Sequence, residues 1–111
     1  MIRKYDPHIP ASMPELRDRM TFMLLMSPKF IDNTGYFPEQ NLDNSFYGFN
    51  EGLNRLRHRL GEELYQRLIK MSDEARVCFE ADPEDKTGET RKGKSLILDM
   101  EELIRARASK P

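Results

Sequence analysis

The stretch Gly88–Ser95 reads GETRKGKS and matches the phosphate-binding pattern G-x-x-x-x-G-K-[ST] at Gly88, Gly93, Lys94 and Ser95. The fold turns on how this octet is read. In a working phosphate loop the backbone amides cradle phosphates, the lysine reaches the terminal ones and the hydroxyl holds a magnesium ion. Such a loop runs between a buried strand and a helix of an α/β sheet, so the reading demands a strand before Gly88. If the match is chance, the chain needs no strand.

The upstream residues decide against the strand. The octet follows PEDKT at 83–87, and before that a helical stripe ends at Phe79; the continuous apolar run of a buried parallel strand is missing. The apolar run ending in an acid, LILD at 96–99, lies immediately downstream. It belongs to the helix that would face the phosphates, so it is not a separate strand bringing a magnesium-binding acid. A chance match is expected on the order of a few times per thousand chains. The octet is therefore expected to lie in a solvated charged connector over 82–94. There Gly88 and Gly93 make turns, and Arg91, Lys92 and Lys94 balance Asp82, Glu84, Asp85 and Glu89.

Outward from this connector the pattern is helical. Ser12 and Glu15 have the form of a capping box, Pro14 suits a first turn, and Leu16, Met20, Met23 and Leu24 recur at helical spacing until Pro28. This predicts a first helix over 13–26, preceded by an extended arm over 1–11 that carries Pro7 and Pro10. A second helix is expected from Ser45, with Phe46, Phe49, Leu53, Leu56 and Leu60 on one stripe and caps available at Asp43 to Ser45. Gly61 is expected to end it and Glu62 and Glu63 to open a third helix over 62–81; a helix running through Gly61 is the alternative. A fourth is expected over 95–107 with Leu96, Ile97, Met100, Leu103 and Ile104 on one face. The expectation is a single all-α domain over 1–111 of about four helices. A long loop from Ser27 to Asn44, rich in aromatic side chains, joins the first two.

Composition narrows function mainly by exclusion. With 18 Lys+Arg against 19 Asp+Glu the formal net charge is -1, so no global field draws nucleic acid or an anionic membrane. The longest apolar run, in MTFMLLMS at 20–27, is too short for a bilayer, and the first residues have no signal-peptide core. The single Cys78 forms no internal disulfide, and a cytoplasmic protein is expected. His8 and His58 have no Cys or second His at ligand spacing, so neither a metal nor another cofactor is expected. No nucleophile elbow is present, and catalysis and a small-molecule substrate have no positive signal.

Three surface features invite partners. Arg55, Arg57, His58, Arg59, Arg67 and Lys70 make the second and third helices locally basic, which gives the runner-up reading of a DNA-binding regulator. Acids interleaved at Glu51, Glu62, Glu63, Asp73 and Glu74 count against it. The acids Glu80, Asp82, Glu84 and Asp85 form a local cluster suited to a basic partner. Tyr36, Phe37 and Tyr47 supply aromatic anchors of the kind enriched at protein interfaces, together with Phe46 unless these rings complete the core.

The phrases YDPHIPASMPELRDRM (5–20), SPKFIDNTGYFPEQNLDNSFYGFNEGL (27–53) and FEADPEDKTGETRKGKSLILDMEELI (79–104) cover nearly the whole chain. In texture they resemble a family of small bacterial proteins, the immunity proteins of contact-dependent growth inhibition and related polymorphic toxin systems. The resemblance implies a cytoplasmic, non-catalytic protein that binds a cognate toxin domain, commonly a nuclease, and covers its active site or substrate groove. It carries no assigned binding motif. On that expectation Glu80, Asp82, Glu84 and Asp85 face the toxin's phosphate-holding groove and Tyr36, Phe37 and Tyr47 anchor the contact.

Overall fold

The computed structural model describes residues 9–31 and 41–108. The described chain is all-helical, with α1 (Met13–Met26), α2 (Leu42–Arg55), α3 (Arg57–Leu60), α4 (Glu62–Ala81) and α5 (Glu89–Ala108). The extents of 42 × 41 × 18 Å make a flat body whose short axis holds two layers of helices, each about 10 Å across. The longest helices, α4 and α5, pack on each other; α2 lies against α4, and α1 bridges α5 and α2.

Local chemistry sets most of the boundaries. Ser12 caps α1, its Oγ accepting from the Glu15 amide at 3.3 Å and donating to the Glu15 carboxylate at 3.0 Å. At the other end the Ser27 amide donates to the Met23 carbonyl, and Pro28 ends the run. The break at Gly61 is present. With φ 87° this residue occupies a region that suits glycine, and it separates the single turn of α3 from α4. The third expected helix coincides with α4. The α2 helix starts earlier than expected, because Asn41 rather than a residue of 43–45 is the cap, accepting from the Asn44 amide at 2.8 Å.

The larger correction concerns the connector. The segment expected to be open over 82–94 is helical from Glu89, so α5 begins six residues before Ser95 and takes in most of the GETRKGKS octet. Two contacts explain it. Asp82 anchors the turn that delivers the chain to α5, and Gly93 faces inward, buried against the ring of Phe79. A phosphate cradle needs loop amides turned toward one point, whereas these residues point their amides along a helix axis. Gly93 provides close helix packing.

The core is one cluster to which every helix contributes. Leu16, Met20 and Met23 of α1, Phe46, Phe49 and Leu53 of α2, Leu68 and Phe79 of α4, and Ile97 and Met100 of α5 are buried in it. Phe30, just beyond α1, joins them in the left-handed region at φ 60° and packs edge-on against Phe79 at 5.2 Å and Phe46 at 5.6 Å. Phe30 and Phe46 thus complete the core. Across the α2–α4 seam the Ser72 hydroxyl donates to the Asn50 side chain at 2.7 Å, and Arg76 pairs with Asp43.

Candidate functional site

The four acids expected to act together have three different fates. Asp82 ends α4 and is only 2% exposed. Its carboxylate accepts from the amides of Lys86 at 2.7 Å, Thr87 at 3.2 Å and Thr90 at 3.1 Å, and its carbonyl accepts from the Thr90 hydroxyl at 2.9 Å. Burial alone would push this carboxyl up, but the hydrogen bonds from Lys86, Thr90 and Thr87 outweigh it and hold the group down at about 2. Asp82 is therefore a structural clamp between α4 and α5, buried with both carboxylate oxygens engaged by backbone amides. An Asp-Pro pair at 82–83 is a turn-initiating signal that would have pointed to this role.

Glu80 stays on α4 and pairs with Arg76 one turn back at 3.6 Å. Glu84 and Asp85 lie in the turn beyond Asp82 and are exposed. Asp85 is held at φ 55°, with its amide donating to the Asp82 carbonyl. Tyr47 is 53% exposed on α2 and lines none of the grooves described here. Tyr36 and Phe37 lie outside the described residues.

What the structure does bring together is the α4–α5 turn and the end of α1. A groove of about 490 Å³ opens between them, lined on one side by Leu25, Pro28 and Ile31 and on the other by Pro83, Glu84 and Asp85. Leu25 is 79% exposed and Ile31 50% exposed, large apolar side chains held in water. Lys29 spans the mouth and pairs with Glu84 at 3.4 Å between two exposed side chains, a contact worth little and easily exchanged for another partner. The site thus combines an apolar lining with an acidic lip. Sequence reading missed Leu25, whereas Ile31 belongs to the long loop over 27–44 whose apolar anchors made it a candidate recognition surface. Leu25 is out of register with the Leu16, Met20 and Met23 stripe, and that displacement was the available signal of an outward-facing apolar residue.

The basic group is also redistributed. Arg57 is bound within the fold, its Nε donating to the Glu62 carboxylate at 2.7 Å while its guanidinium lies 4.3 Å from the centre of the Tyr65 ring. The Arg57 and Gln66 hydrogen bonds hold the Glu62 carboxyl well down, at about 2. With only four residues, α3 is too short to serve as a groove-reading helix. Cys78 is half-buried on α4, and burial followed by nearby Glu89 pushes its thiol up, away from the reactive thiolate.

Among the described residues no cluster of three His, Cys, Asp or Glu side chains converges as metal ligands would. None of the described helices is long and apolar enough to cross a membrane. No protein-family model matches the chain, and no curated protein and no solved structure shows significant similarity to it.

Proposed function

We propose that this chain is a non-catalytic immunity protein that binds and neutralises a cognate toxin domain, a nuclease, in the cytoplasm. The observation that carries the reading is the groove in which exposed Leu25 and Ile31 stand beside Glu84 and Asp85. Apolar side chains held in water beside acids suit a surface that is basic with an apolar centre, as a phosphate-binding cleft between protein walls is. The acids speed encounter with such a cleft, and the aliphatic side chains supply the area buried at its centre. The resemblance of the sequence to immunity proteins points the same way. Glu84 and Asp85 remain the acidic contacts of this proposal, while Asp82 is withdrawn because its oxygens are already engaged. The DNA-binding alternative is weaker, since Arg57 is spent on Glu62 and Tyr65.

The test is protection and binding together. The chain is co-expressed with the toxin domain encoded beside its own gene, and the purified pair is titrated calorimetrically. Survival and a stoichiometric complex are expected, and Leu25→Asp or the Glu84→Lys, Asp85→Lys pair should weaken the complex by roughly a hundredfold. Cells that die equally with and without the chain would overturn the proposal, as would a complex indifferent to all three substitutions.

A further inference from the structure

The far end of α4 carries a second groove of opposite character. With 20 residues, α4 separates its two ends by about 30 Å. At its amino-terminal end it meets the carboxyl-terminal end of α5 around a groove of about 420 Å³, with Leu60, Leu64 and Leu103 as apolar lining and Arg67 and Arg107 on the rim. The rim is partly preorganised. The Arg107 Nε donates to the Arg59 carbonyl at 3.2 Å, and its Nη2 lies 3.8 Å from where a side chain on Gly61 would begin. The glycine that breaks the helix thus also leaves the space over which the guanidinium lies.

Among the described residues Arg67 and Arg107 on this rim enter no ion pair, whereas Arg57, Arg76 and Arg105 each have an acid. The nearest acid, Glu62, is taken up by Arg57 and Gln66, which leaves Glu63 as the acid on the rim with no such pairing. The fold therefore sets two guanidiniums without an acid partner, Arg67 of α4 and Arg107 of α5, on the rim of an apolar slot.

We infer that this groove docks an acidic polypeptide segment carrying an apolar side chain. The apolar residue enters between Leu64 and Leu103, and flanking carboxylates meet Arg67 and Arg107, whose planar forks match carboxylates in bidentate fashion. A nucleic-acid backbone fits less well, because the slot offers it apolar lining, no aromatic ring for base stacking and an opposing Glu63. This surface is independent of the Leu25 groove.

The probe is a short fluorescein-labelled peptide in which glutamates flank a leucine pair, read by fluorescence anisotropy against the full chain. Saturable binding is expected that weakens as salt rises from about 50 to about 200 mM. The Arg67→Ala, Arg107→Ala pair should weaken it roughly tenfold. Ala106→Glu, at an exposed lining position, should abolish it, and Glu63→Gln should tighten it about twofold. Leu25→Asp, at the other groove, should leave it unchanged, which separates this inference from the proposed function. Far-UV circular dichroism of each variant verifies folding. Equal binding of a glutamine version of the peptide, indifference to the arginine pair, or no binding would each overturn the inference. So would tighter binding of a short DNA duplex with the same arginine dependence, which would assign the surface to nucleic acid.

Discussion

Replacing Gly93 by alanine tests the packing that turns the octet into a helix. An added Cβ would stand 2.7 Å from both Cε1 and Cζ of Phe79 and 3.1 Å from its Cδ1, against an ordinary carbon separation of about 3.5–4.0 Å. Something must move by nearly 1 Å, and the ring has little room. Phe79 is fully buried and wedged against Phe30 at 5.2 Å and Phe46 at 6.2 Å. Overpacking of this kind costs about 1–3 kcal/mol, while alanine regains about 1 kcal/mol over glycine in a helix interior. The net expectation is a loss of about 1 kcal/mol, or a fall of roughly 4 °C in Tm for a domain of this size. Urea denaturation followed by circular dichroism measures it, with Phe79→Leu as the second arm of a double-mutant cycle. Leucine lacks the ring edge, so Gly93→Ala should be neutral or mildly stabilising there, a coupling of about 1 kcal/mol. Gly88→Ala is the control, since nothing lies within 4 Å of its Cβ position and its cost comes only from φ 89°. A Gly93→Ala protein more stable than the parent, or an unchanged loss in the Phe79→Leu background, would refute the packing argument.

Two further predictions concern the fold that carries the groove. The Asp82 carboxyl is held at about 2, below its unfolded value near 3.9, so its contribution is complete above about pH 4 and is lost as pH falls toward 2. Asp82→Asn should lower the urea midpoint at neutral pH and flatten that acid-side decline, and the two proteins should converge near pH 2. A mutant whose deficit is the same at both ends of that range would show that the charge is not what holds the turn. Phe30→Ala removes a fully buried ring that touches both Phe46 and Phe79 and should cost about 3–5 kcal/mol, measured by the same denaturation. A loss below about 1 kcal/mol would mean that Phe30 does not belong to the core.

The proposed surface is composed differently from the one expected from sequence. The expectation grouped Glu80, Asp82, Glu84 and Asp85 because they are neighbours in the chain. Helical geometry and the Asp82 turn send them to an ion pair with Arg76, an internal clamp and an exposed lip. Leu25 and Ile31 come to that lip from more than fifty residues away, and local spacing carries no information about so distant a neighbour. In the same way Arg107 reaches the Arg59 carbonyl across 48 positions.

By itself the sequence determined the helical class, the cap at Ser12, the break at Gly61, the span of α4 and the stripes that fill the core. These are settled within a few turns of chain, by side-chain capping, by the freedom of glycine at positive φ and by apolar residues recurring every three or four positions. Only the tertiary structure decided where α5 begins. The residues 89–94 are charged and glycine-bearing, with no apolar stripe to mark them as helix. Their helix forms because Asp82 holds the preceding turn and because the missing side chain of Gly93 admits the ring of Phe79, and both are contacts with another helix.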